Sequence, residues 1–210
     1  KIQIKFWIGC EKHMLHKKLY QKLVFHASLI YHDLSYPVDF GLKSKTVKLT
    51  GLRAEIFEYQ DFDIVVFCGT NSLRDWIANI QMIFWKPRQF YQALELVLDG
   101  YDPSKKTYII GHSLGGAIAE YVGNAINNPN LYVITFNGAG IKHLVDIKHE
   151  SNIYHYITSK DILNRFTKLL PFNWFKHIGE VTIIEDMNSW CGLKSHSNWK
   201  VFMEFHNNHD

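Results

Sequence analysis

The chain has 210 residues, with 23 Lys and Arg against 20 Asp and Glu for a formal charge of +3, and 47% of it is hydrophobic. A chain of this length can bury about 70% of the surface its unfolded form exposes, which excludes a small stapled scaffold, and its composition excludes a disordered tail and a coiled coil. The small positive excess argues against nucleic-acid binding, because the densest basic stretch, Lys12 to Lys22, is interleaved with apolar residues.

Cys10, Cys68 and Cys191 are odd in number, widely spaced and without a Cys-x-x-Cys pair, so neither a disulfide framework nor a thiolate metal site is indicated. A single Cys10–Cys191 bridge stays open. No apolar run reaches the ~18 residues of a membrane span, and the start Lys1 to Phe6 lacks the apolar stretch of a secretory signal. Residue 1 is not Met, which is compatible with removal of an upstream segment and leaves the compartment open between cytoplasm and secretion.

In chain order, Leu15, Leu19, Leu23, Val24, Ala27 and Ile30 recur at helical spacing and predict an amphipathic helix over 13–32. After the turn signal at 35–39, Arg53 to Tyr59 alternates as a half-exposed strand, and Ile64 to Cys68 is apolar enough for a buried one. The two form a hairpin feeding a central sheet. Ser72 to Trp85 is rich in Trp, Ile, Leu, Met and Phe and predicts a helix in its first half; Arg88 to Leu98 predicts another, ended by Asp99-Gly100. Strand Thr107–Ile110, helix Leu114–Ile126, strand Tyr132–Phe136, a short helix Ile141–Ile147, and strands Ile153–Thr158 and Val181–Glu185 then alternate as βα units. An amphipathic run from Trp199 to Phe205 closes the series. The expectation is one α/β domain over 1–210, with its core at roughly 53–205 and a mostly parallel central sheet flanked by helices.

The densest chemical signal is Gly111-His112-Ser113-Leu114-Gly115-Gly116, directly after Tyr108-Ile109-Ile110 and directly before Ala117 to Val122. Gly-x-Ser-x-Gly in strand-turn-helix context is a nucleophile elbow: the bend strains the serine and exposes its hydroxyl, while small flanking residues let strand and helix approach. The helix beginning at Leu114 aims its unpaired N–H groups where a tetrahedral oxyanion would form.

A serine hydroxyl needs a base and a group that orients the base, and in this architecture acid and then histidine follow the serine at the ends of later strands. Asp161, just past Thr158, suits the acid. Asp146 falls in the predicted short helix, and Asp186 lies too near the histidine to leave room for a separate acid strand. His196, in a loop between the last strand and the terminal run, suits the base; His177 precedes that strand, and His206 and His209 belong to a polar terminus. A second oxyanion donor should come from the loop after an early central strand, which points to the N–H of Thr70.

These residues resemble the lipase class 3 group of α/β-hydrolases, through Phe67-Cys68-Gly69-Thr70, Asp75-Trp76-Ile77-Ala78-Asn79 and Gly111 to Gly116, in order over roughly 53–200. The resemblance implies the α/β-hydrolase fold and hydrolysis of carboxylic esters in lipids, with Ser113, Asp161 and His196 as triad and Thr70 and Leu114 as oxyanion hole. Members often carry Arg where this chain has Cys68, and many have a Gly-x-Pro-Arg-like turn where it reads Phe136-Asn137-Gly138-Ala139-Gly140, so it looks like a divergent branch. Trp76, Ile80, Phe84 and Trp85 read as lid or acyl contacts, or equally as a buried helix end, and the stretch from Lys168 to Phe175 as an acyl-pocket rim. A lipid or other acyl ester is the expected partner, with transient membrane-surface contact. No metal is expected, because His13 and His16 lack further ligands, and without a glycine-rich nucleotide fingerprint no organic cofactor is expected either. An acyltransferase, thioesterase or peptidase on the same triad, and an inactive hydrolase-fold binding module, are the rival readings.

Overall fold

Side chains alternate across a strand, so a strand apolar throughout presents two apolar faces and must be covered on both. The computed structural model shows this arrangement; it describes residues 17–31, 43–49, 52–68, 88–148, 150–163, 165, 176–187, 189 and 192–205, with the side chains of 30, 31, 43–49, 193 and 196 outside that description. Helix α1 (Lys17–Tyr31) precedes β1 (Lys43–Leu49), β2 (Leu52–Glu58) and β3 (Phe62–Phe67). After α2 (Arg88–Gly100) come β4 (Lys106–His112), α3 (Leu114–Ala125), β5 (Leu131–Phe136), β6 (Ile153–Thr158) and β7 (Glu180–Ile184), and then the short helices α4 (Gly192–His196) and α5 (Trp199–Glu204).

The seven strands form one sheet in chain order, antiparallel from β1 to β3 and parallel from β3 to β7. Right-handed crossovers between neighbouring parallel strands all return over one face. That face is accordingly packed by α2 and α3, with Phe90, Ala93, Val97, Ala117, Ile118 and Val122 meeting Val65, Phe67, Ile109 and Val133. The chain ends close the other face: Tyr20, Leu23 and Val24 of α1 and Trp199 and Phe202 of α5 pack on Ile64, Val66, Ile110, Ile134 and Phe136. The hairpin, the parallel strands and the helices at 88–100 and 114–125 stand where the spacing predicts them.

Three features differ. Strand β1 carries no period strong enough to mark it and exists through its pairing with β2, Lys45 opposite Ile56 and Val47 opposite Ala54. Residues 141–147 form turns rather than a helix. The side chain of Asn124 on α3 holds this backbone by accepting from Lys148 N (2.9 Å) and donating to Asp146 O (3.0 Å), and a segment pinned by side-chain bonds is held away from helical pairing. His196 ends helix α4 instead of sitting in a loop. Cys10, Cys191, the predicted helix at 72–85 and the stretch 168–175 lie outside the described residues.

Candidate active site

Strand β4 delivers Gly111 and His112 into the core, and the chain then bends at Ser113 into α3. Ser113 has φ 58° and ψ −124°, a conformation that costs a non-glycine residue about 1–3 kcal/mol and persists only where the surroundings over-determine it. They do so here through its backbone: Ser113 N donates to Phe136 O (3.3 Å), while its carbonyl accepts from Gly116 N (3.0 Å), Ala117 N (3.3 Å) and Ala139 N (3.3 Å). A Cβ at Gly111 would overlap the carbonyl oxygen of Gly115, and one at Gly115 the carbonyl oxygen of Phe67, so strand, bend and helix fit together only with glycine at both positions. Ser113 is 4% exposed, less open than the bend leads one to expect. Leu114 opens α3 beside it, so its N–H is one of the helix's unpaired donors, whereas Thr70 lies outside the described residues, as do Trp76, Ile80, Phe84 and Trp85.

Asp161 follows β6 by three residues and is buried; its N–H donates to Thr158 O (3.0 Å) and its carbonyl accepts from Arg165 N (3.1 Å). Ser113 and Asp161 thus stand past the carboxyl ends of β4 and β6, with β5 between them. Helix α4 is tied to the same edge: the carbonyl of Ser195, next to His196, accepts from the Asn137 side chain (3.2 Å), and the hydroxyls of Ser195 and Thr158 lie 2.9 Å apart. The backbones of Ser113, Asp161 and His196 therefore converge on one end of the sheet. Asp186, the alternative acid, is also buried and accepts from Ser189 N (3.1 Å) and Asn198 Nδ2 (3.3 Å). Burial pushes its carboxyl up, but hydrogen bonds from Ser189, Ser195 and Asn198 outweigh that and hold it below the usual carboxylate range. Asp146 is exposed.

The family model described as phospholipase-like, Tle-like phospholipase domain, matches residues 31–156, more than half of the chain and inclusive of Ser113. The chain belongs to the Tle-like phospholipase domain family. It is 31% identical over 94 residues to the extracellular phospholipase A1 of Serratia liquefaciens, a stretch that is 44% of this chain and 28% of that protein, so it spans less than a third of its relative. Among solved structures it resembles the Lip2 lipase of Yarrowia lipolytica (TM-score 0.54, 15% identity, covering 82% of this chain and 80% of that one). It also resembles the triacylglycerol lipase of Penicillium expansum (TM-score 0.51, 16% identity, covering 83% and 81%). These likenesses show the α/β-hydrolase fold, and the family places the chain among lipase- and phospholipase-like hydrolases. None of the described helices is long and apolar enough to cross a membrane.

The Tle-like domain also holds a buried cluster that the histidine spacing gave no reason to expect. Glu120 of α3, His155 of β6 and His177 before β7 bring their ligand-type atoms within 4.8 Å of one another. Glu120 Oε1 accepts from Ile178 N (2.7 Å) and Oε2 meets His177 Nδ1 (3.1 Å). His155 Nε2 faces Ile178 O at 2.7 Å, and a carbonyl can only accept, so this nitrogen carries the hydrogen and Nδ1 accepts from the Thr135 hydroxyl (2.7 Å). With both nitrogens of His155 engaged, the ring offers a cation no lone pair, and the cluster acts as a brace joining α3, β6 and the entry to β7.

Burial dominates its titration, raising Glu120 from 4.5 to about 7 and lowering His155 and His177 from 6.5 to about 4. Between pH 4.5 and about 7 the folded protein keeps a Glu120 proton that the unfolded chain releases, so this group's contribution to stability falls as pH rises. The histidines act oppositely, because the unfolded chain binds their protons below 6.5 and the fold resists until about 4; their contribution is lost as pH falls. Glu120→Gln keeps the shape and removes only the first effect. Thermal melts from about pH 5 to 7 should show the variant gaining on the parent as pH rises, and parallel curves would contradict the assignment.

Proposed function

We propose that this Tle-like domain is a serine carboxylic-ester hydrolase acting on acyl esters of lipids, phospholipids first, through Ser113, His196 and Asp161. The observation that carries the reading is the backbone of Ser113, a non-glycine residue held at positive φ where a buried strand turns into a helix N-terminus. Ordinary turns relieve such strain with glycine; keeping serine there is explained by what its hydroxyl does.

In this mechanism His196 takes the Ser113 hydroxyl proton as Oγ attacks the acyl carbonyl, and Asp161 orients the imidazole and stabilises its charged form. The N–H groups of Leu114 and Thr70 receive the negative charge that develops on the carbonyl oxygen. Collapse breaks the ester bond, and the alcohol leaves with the proton from His196. Water, deprotonated by the same histidine, then attacks the acyl-enzyme, releasing the fatty acid and restoring Ser113. Trp76, Ile80, Phe84 and Trp85 are assigned to acyl contact on their apolar character. Phospholipid is placed first because of the family and because the Serratia relative is a phospholipase A1.

Fatty-acid release should be assayed side by side on phospholipid micelles, triacylglycerol emulsions and short p-nitrophenyl esters. Turnover of phospholipid above the other two is expected. Activity confined to thioesters or peptides would overturn the lipid assignment, and absence of turnover on every ester would favour a binding module.

A further inference from the structure

We propose that Asn137 is a positioning residue that sets the placement of His196 relative to Ser113 and Asp161, an inference that rests on reading His196 as the base. Asn137 is fully buried just past β5, the strand between those that deliver Ser113 and Asp161, and its φ of 45° is one that Asn tolerates better than most side chains. That backbone turn aims the amide across the strand ends. Its Oδ1 accepts from Thr158 N (2.8 Å) and lies 3.2 Å from the Thr158 hydroxyl, while its Nδ2 donates to the carbonyl of Ser195 (3.2 Å). Its own N–H donates to Tyr156 O (2.9 Å).

The side-chain contacts to Thr158 and Ser195 each reach a segment that carries a proposed triad member. Phe136 and Ala139, which flank the residue, bond to the backbone of Ser113 from either side. Thr158, which Asn137 holds, accepts from the N–H of Asp161. Ser195, which it also holds, precedes His196. One planar amide, with an acceptor end and a donor end, thereby joins the three segments at fixed spacing.

Helix α4 has five residues, too short for stability of its own, so its position depends on such ties. On its far side Asp186 and Asn198 fasten the following turn, Asn198 Nδ2 lying 3.3 Å from Asp186 Oδ1 and 3.2 Å from Ser189 Oγ. Asn137 fastens the near side, toward the serine. A shift of about 1 Å in a catalytic group costs on the order of 100-fold in rate, so loss of this tie should appear in turnover before it appears in substrate binding.

The test is steady-state turnover of p-nitrophenyl butyrate by the parent, Asn137→Gly, Asn137→Asp, His196→Ala and the double variant Asn137→Gly/His196→Ala, with melting curves for each. Glycine keeps the backbone angle and deletes the tie; aspartate keeps the acceptor for Thr158 and turns an acceptor toward the Ser195 carbonyl. Both single changes at 137 should lower kcat about 10- to 100-fold with KM within about twofold. In the His196→Ala background the glycine change should alter residual turnover by less than about twofold, because the position acts through the histidine. Full kcat in the 137 variants, or an equal loss with and without His196, overturns the proposal. If Asn137→Gly fails to fold, Asn137→Asp takes its place, read by its kcat and KM and by its pairing with His196→Ala. Parent-like turnover in His196→Ala would instead remove the reading of the base, and the positioning role with it.

Discussion

Ser113→Ala is expected to lower ester turnover by about four to six powers of ten while leaving the melting temperature within a few degrees of the parent or above it. On the proposed mechanism the activity loss follows from removing the atom that forms the covalent intermediate; members of such a triad act as a unit, so His196 and Asp161 alone would recover little. The stability expectation has a separate origin. The Ser113 backbone carries four hydrogen bonds, to Phe136, Gly116, Ala117 and Ala139, none of which involves the hydroxyl. Alanine keeps all four, and the strained φ as well, so a folded and inert protein is the outcome. Turnover within tenfold of the parent would show that the hydroxyl at the bend is a structural accident.

Gly115→Ala should be among the most damaging small substitutions for folding, at about 3 kcal/mol or more. The added methyl would run into the carbonyl of Phe67, at the end of β3, and backbone cannot swing aside as the tip of a long side chain can. Relief requires α3 to move away from the sheet, which opens the core around Leu114, Ala117 and Ile118 and pulls Ser113 from the bonds that hold its angle. Chemical denaturation should show a midpoint far below the parent's, or no folded baseline. A variant as stable as the parent would mean that β3 and α3 are not packed as closely as described.

How much of the fold and site was legible in the sequence depended on whether the cause of a feature is local. The elbow is local: Tyr108-Ile109-Ile110, Gly111, Ser113, Gly115 and the small residues after it specify strand, bend and helix within a dozen positions. A strand-end rule that orders acid and base along the chain singles out Asp161 and His196 as candidates, and the structure brings their segments to the end of the sheet that holds Ser113. Features with distant causes were not legible. Ile141, Leu144 and Val145 have helical spacing, but Asn124 on another helix holds this stretch in turns. Strand β1 takes its identity from β2. Glu120 reads as one polar residue in an apolar helix, and its partners are 35 and 57 positions away, at His155 and His177. Asn137 stands in a turn whose sequence suggests only a departure from the family pattern, and its role emerges once Thr158 and Ser195 are seen at its two ends.

Reaction of the parent with a fluorophosphonate in the presence of phospholipid micelles, followed by peptide mapping, tests the central claim most directly. A single adduct on Ser113, absent from the Ser113→Ala protein, is the predicted result. An unlabelled parent, or an adduct on another residue that survives the substitution, would contradict it.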